Sequence, residues 1–212
     1  MIVSRRKPVE AVLAMLQGVK KVGLVGCKSC ATACGVGGEK ECNEMKEYLE
    51  SQGIEVVGII LPDESCHKML VRRDIKPLAE AEAIVSMACG SGCQTVAANA
   101  KVPVYPANDT IFVGLTERVG MFHETCRTCG DCVLGETGGI CPMTQCAKSL
   151  VNGPCGGQKN GKCEVNPEND CAWIAIYKRL ESLNQLHKME ATLDDHTPRD
   201  YPQSVNLREV KK

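Results

Sequence analysis

The chain has 212 residues, with 25 Lys and Arg against 26 Asp and Glu, a formal net charge of -1, 43% hydrophobic and 24% charged residues. This balance excludes extended disorder away from the chain ends and leaves no global basic excess to hold nucleic acid or an anionic membrane. Two values depart from the ordinary: aromatics are 3% and cysteines number 15, so sulfur chemistry is expected to hold part of the fold.

In chain order, residues 19–25 (VKKVGLV) read as a short apolar strand ending at Gly26. Residues 39–52 place Met45, Tyr48 and Leu49 at helical spacing before the stop at Gly53. The β-branched run at 54–61 reads as a second strand bounded by Pro62, and helices are expected near 67–73 and 76–82. Strands at 83–87 and 102–105 flank a helix at 92–100. This β-α-β-α rhythm predicts an α/β fold, a small parallel-sheet domain over residues 1–118 with cysteine-rich loops. In such sheets, sites form where strands end. Cys27, Cys66 and Cys89 each follow a predicted strand, which brings distant cysteines to one sheet edge.

After Gly114 the texture changes. Residues 119–186 are expected to be an irregular cysteine-rich domain that ends in a helix at 172–186, with Trp173, Ile176, Leu180 and Leu183 as its apolar stripe. Residues 187–212, with Pro198 and Pro202, read as an extended tail that orders on a partner. No membrane span or export signal is expected, so the protein is read as cytoplasmic with reduced or metal-bound thiols; the odd cysteine count also disfavours a pure disulfide framework.

The strongest signal is Cys126-x2-Cys129-x2-Cys132, followed by Cys141-Pro142, Cys146, Cys155, Cys163 and Cys171. Three cysteines at this spacing wrap corners of one cubane, with a fourth ligand from elsewhere. The ferredoxin spacing is broken, because eight residues separate Cys132 from Cys141. Eight thiolates nevertheless supply two four-cysteine sites, and the interleaved glycines allow tight turns and bare amides. The alternatives are structural zinc, which four cysteines suit equally well, and a disulfide block. Cys27-x2-Cys30-x3-Cys34, with Cys66 and Cys89, forms a weaker set from which four can hold another metal; the bland reading is a redox CxxC or buried free thiols. Cys42 falls within a predicted helix and reads as packing; Cys93 is left open. The run from Gly156 to Cys163 nearly spells a phosphate loop but lacks the terminal Ser or Thr and a preceding strand. No nucleophile, base and orienting acid group together, so no catalytic residue is assigned. Four Lys/Arg against five Asp/Glu between Cys126 and Cys171 leave no basic stripe for nucleic acid.

The runs CRTCGDCVLGETGGICPMTQCAKSLVNGPCGG, GKCEV and CAWIAIYKRL resemble the methylenetetrahydrofolate reductase C-terminal-domain family. The stretches VGCKSCATACGVGGE, ESCHKMLV, MACGSGCQT and PANDTIFVG are similar to its free-standing small-subunit members, so the resemblance extends to about Leu186. The resemblance implies a non-catalytic electron-transfer subunit with two to three [4Fe–4S] clusters, zinc being possible at one site. It also implies a partner, a β/α-barrel flavoprotein subunit that alone holds FMN and reduces 5,10-methylenetetrahydrofolate to 5-methyltetrahydrofolate in the methyl branch of the Wood–Ljungdahl pathway. Ferredoxin or a further electron-donating module would feed it. The ligand positions implied are Cys27, Cys30 or Cys34, Cys66 and Cys89, plus all eight cysteines from Cys126 to Cys171. The competing reading is a zinc-stapled, non-redox assembly subunit of the same complex.

Overall fold

A computed structural model describes residues 1–193 and 204–205. The chain divides into two compact units, Met1–Glu124 and the part from Thr125 on.

In the first unit, β1 (Ile2–Arg6) and α1 (Val9–Met15) lead into β2 (Lys21–Val25). There follow α2 (Cys30–Ala33), α3 (Glu39–Ser51), β3 (Glu55–Ile60), α4 (Lys68–Asp74), β4 (Ala83–Ser86), α5 (Gly90–Ala97), β5 (Val104–Pro106), β6 (Asn108–Arg118) and β7 (Met121–Cys126). Four strands form a parallel sheet in the order β3-β2-β4-β5, with Val22 opposite both Val56 and Ala83. The α/β expectation holds, and the four strands lie within two residues of their expected positions. Both central strands are buried nearly throughout, as a parallel sheet covered on two faces requires. Alternation splits them: Val22, Leu24 and Val85 join α1 and α3 in one apolar cluster, while Val25 and Ile84 pack with Val71, Leu78 and Val96 in another.

Three features differ from the sequence expectation. The helix expected at 76–82 is only a 3-10 turn, Lys76–Leu78, with Pro77 in its first turn. The N-terminal segment contributes a strand and a helix, α1. A second sheet, order β1-β6-β7, is antiparallel where β1 meets β6.

The second unit has little regular structure: α6 (Pro142–Gln145), α7 (Ala172–Ser182) and a 3-10 turn, Leu186–Glu190. Trp173, Ile176 and Leu180 are its buried apolar cluster, and Trp173 Nε1–H donates to Leu150 O at 2.9 Å. Leu183, expected on the stripe, is 39% exposed because the helix ends before it. Apart from 187–193 and 204–205, the expected extended tail lies outside the described residues.

Candidate metal centre

In the parallel sheet the chain leaves β2 toward β3 and then crosses to β4 on the other side, so the strand order reverses between β2 and β4. Open α/β sheets form their crevice outside the carboxyl ends of strands at such a point. A cavity of about 290 Å³ lies there, and its lining includes Cys27, Cys30, Cys66 and Cys89. Cys27 and Cys89 are 7% and 9% exposed, Cys30 is half-buried and Cys66 is exposed. Cys89 caps α5, so the positive end of that helix dipole lies at its thiol. The Ile2 amide donates to Cys30 Sγ at 3.4 Å. Burial pushes the Cys66 thiol up, and the neighbouring Cys89 and Cys27 add to this.

The walls of the cavity are locked together. Gly37 packs so closely on Met87 O that a Cβ would collide with it. Asn108, 5% exposed at the start of β6, donates through Nδ2 to Met87 O at 2.5 Å and to Val36 O and Ala88 O at 3.4 Å each. Ser65, fully buried beside Cys66, donates to Gly26 O at 2.6 Å. Sequence reading missed Asn108 and Ser65; the only signal was a polar residue next to an apolar run.

Cys34 does not line this cavity. Its thiol donates to Ile2 O at 3.7 Å, and burial pushes it up against the Ser4 amide that favours the thiolate. Cys42 sits in the core at 0% exposure with its thiol pushed up to about 12 by burial, then by Glu41. Burial also raises the Cys93 thiol.

In the second unit, Cys146, Cys155, Cys163 and Cys171 line one cavity of about 20 Å³. Cys146 ends α6 and Cys171 caps α7. Lys159 and Lys162 exchange backbone hydrogen bonds at 3.1 and 2.9 Å across Asn160-Gly161, both in the left-handed region (φ 51 and 80). That is a two-residue hairpin turn, which places Cys163 directly after it. The near phosphate loop is therefore a hairpin. Asn-Gly was the signal for it. Backbone amides of Asn166, Val165 and Ala147 point at Cys163 and hold its thiol below the ordinary value. Glu164 accepts from Cys155 at 3.3 Å and pairs with Lys148; the carboxylate holds the ammonium above its ordinary range, and the ammonium, with the Cys155 thiol, holds the carboxyl below its own. The remaining four are Cys126 at the end of β7, Cys129, Cys132, and Cys141 capping α6. Thr128, in the left-handed region (φ 52), donates its amide to Cys126 Sγ at 3.3 Å, and Thr144 Oγ1 donates to Cys141 Sγ at 3.6 Å. Sequence spacing is what groups these four.

All fifteen cysteines are free of disulfides. Among the described residues no three His, Cys, Asp or Glu side chains are gathered as tightly as one metal ion requires. The two cavity-lining quartets nonetheless supply the donor set of thiolate-bound groups. Among the described residues no helix is long and apolar enough to cross a membrane.

Residues 105–201 match the family described as methylene-tetrahydrofolate reductase C terminal. No curated protein matches the chain. Two solved structures match in part. Unliganded arylmalonate decarboxylase is 18% identical over 47% of this chain and 46% of its own, with a TM-score of 0.35. A second arylmalonate decarboxylase structure is 20% identical over 46% of each chain, with a TM-score of 0.32. The chain thus spans just under half the length of those structures. The family match covers residues 105–201, 97 of the 212 residues.

Proposed function

We propose that this chain is the small, MetV-type iron–sulfur subunit that delivers electrons to a flavin-containing methylenetetrahydrofolate reductase subunit. That partner, a β/α-barrel holding FMN, would reduce 5,10-methylenetetrahydrofolate to 5-methyltetrahydrofolate in the methyl branch of the Wood–Ljungdahl pathway, in the reducing cytoplasm. The observation that carries this reading is the convergence of Cys27, Cys30, Cys66 and Cys89 on one 290 Å³ cavity at the sheet's switch point. The family match supports the association with the reductase.

A single zinc ion draws its thiolates to about 2.3 Å from one centre. A cubane sets its four thiolates farther apart, and a cavity of about 290 Å³ lined by four cysteines supports that reading. Cys27, Cys30, Cys66 and Cys89 would hold one cluster, and Cys126, Cys129, Cys132 and Cys141 a second. Cys146, Cys155, Cys163 and Cys171 would hold a third group. Bound there, a [4Fe–4S] cluster supplies one-electron transfer. The chain's own residues shape the sites. Cys27 and Cys89 wall one off from water, and Asn108 and Ser65 hold its loops in register. The Ile2 amide at Cys30 and the three amides at Cys163 stabilise thiolate charge. Lys148 adds positive charge beside Cys155.

One observation favours zinc at the third site: its cavity is about 20 Å³ and its ligands flank a tight hairpin. A zinc-stapled, non-redox assembly subunit is the second reading for the whole protein. The two separate on one experiment. The protein is purified without oxygen, with its flavoprotein, and iron, acid-labile sulfide and zinc are measured per chain alongside reduced-state EPR. Iron and sulfide for two or three clusters, with loss of one cluster in Cys129→Ala, support the electron-transfer reading. Zinc without iron or acid-labile sulfide overturns it.

A further inference from the structure

We propose that α4 is the docking surface for an acidic one-electron carrier protein, seated beside Cys66. The inference rests on the reading of the Cys27, Cys30, Cys66 and Cys89 site as a cluster. Cys66 is the exposed member of that quartet, whereas Cys27 and Cys89 are walled in. An incoming electron therefore has its shortest protein-surface approach at Cys66, and α4 starts two residues later.

That helix buries Val71 completely. Its other face presents Lys68, Met69, Arg72 and Arg73 to solvent, and Lys76 extends the same row. Met69 is 63% exposed, a large flexible apolar side chain with cations before it and one turn on. Two of the three nearby carboxylates are already engaged. Arg73 grips Asp74 with two bonds of 2.6 and 2.9 Å, and Lys28 pairs with Asp63 at 3.2 Å; Glu64 lies on the cavity wall. A chain of net charge -1 thus gathers four cations, one of them paired with Asp74, around one exposed methionine within ten residues of the exposed thiol.

Charge runs on helices are commonly plain solvated faces, and nothing about Arg73 and Asp74 alone says otherwise. The exposed methionine at the centre and the thiol at the edge distinguish this face. Redox partners meet through small patches with an apolar middle and a charged rim, and complementary charge speeds encounter more than it deepens affinity. The cationic rim selects an anionic partner. In the transfer itself the carrier is oxidised by one electron and the site is reduced by one; no bond is made or broken.

The test uses the full chain with its flavoprotein and an oxidised acidic [2Fe–2S] ferredoxin as probe. Binding is measured by calorimetry at low and high ionic strength, and electron uptake is measured with the reduced probe. Lys68→Glu combined with Arg72→Glu is expected to weaken binding and slow uptake roughly tenfold at low salt, with the difference gone near 0.5 M salt. Lys40→Glu combined with Lys101→Glu changes net charge equally and is expected to have less than about a twofold effect. Photoreduced deazaflavin, a small neutral reductant, should reduce both variants at the wild-type rate. Equal losses in the two variant pairs, or no loss in either, overturn the α4 surface whatever the iron content. Absence of iron and sulfide with α4-dependent binding intact overturns the proposed function and leaves the surface standing.

Discussion

Asn108 is the most informative single position for the first unit. Its Nδ2 bonds Met87 O at 2.5 Å, with two longer contacts of 3.4 Å to Val36 O and Ala88 O, and it joins the loops that carry the quartet. Asn108→Ala leaves the fully buried Met87 carbonyl without this donor, a loss of about 1–3 kcal/mol. The long contacts add little. Among the described residues the buried Oδ1 has no partner, so its removal returns part of the loss. A net destabilisation of about 1–2 kcal/mol corresponds to a midpoint lower by roughly 3–6 °C for a chain of this size. Asn108→Asp has nearly the same shape but turns an acceptor toward three carbonyls. Burial and those dipoles raise the carboxyl's folded pKa above its unfolded value near 4. The variant is therefore relatively most stable at low pH, where the protonated acid can donate to Met87 O, and it loses stability as pH rises through the raised pKa. Thermal unfolding by circular dichroism at pH 5 and pH 8 measures both effects. An Ala variant that melts with the wild type, or an Asp variant that matches Ala at both pH values, refutes the locking role.

Gly37→Ala drives a Cβ into Met87 O, backbone against backbone, and is expected to lower the melting midpoint more than Asn108→Ala or to yield no soluble protein. Cys42, with its folded thiol near 12 against an ordinary 9.0, contributes stability that is complete below pH 9 and lost as pH rises toward 12; Cys42→Ala should flatten that alkaline decline in denaturant midpoints. Cys163 has the opposite sign: the amides of Asn166 and Val165 hold its thiol below the ordinary value in the folded unit.

The parallel sheet was legible because its strands are continuous β-branched runs bounded by Gly26, Pro62 and Gly90, with no competing helical period. The β6–β7 hairpin was not. Ile111 and Leu115 are about half exposed, so its apolar residues do not outline a buried face, and its partner β1 is only five residues long with two arginines. Pairing across more than a hundred residues makes that sheet, and no local window records it. Convergence of Cys27, Cys66 and Cys89 followed from strand ends alone. The choice between Cys30 and Cys34 did not, because both flank the same short turn of α2 and only the position of β1 separates their thiols. The division of the eight later cysteines was equally hidden, since the Asn160-Gly161 hairpin and the start of α7 bring Cys163 and Cys171 to one cavity.

The two units differ in what folds them, and metal removal should expose this. The first has apolar clusters on both faces of its sheet, with Leu24, Leu49, Ile84 and Val71 at or near zero exposure. Among the described residues the second has four buried apolar side chains on one helix, a four-residue second helix, and Thr128 and Ser149 in the left-handed region. Each of those two residues costs on the order of 1 kcal/mol in strain, and so small a core cannot offset that along with the ordering entropy of its loops. On the proposed reading, thiolate-bound metal supplies the difference. Trp173 is the only tryptophan in the chain and is 6% exposed, so its emission reports the second unit directly. Stripping iron and zinc without oxygen should shift that emission to the red, while the amides of β2 and β4 keep their protection from hydrogen exchange. An unshifted Trp173 in protein shown to be free of both metals would mean that packing alone folds the sulfur-rich unit, and the structural reason for its eight cysteines would be gone.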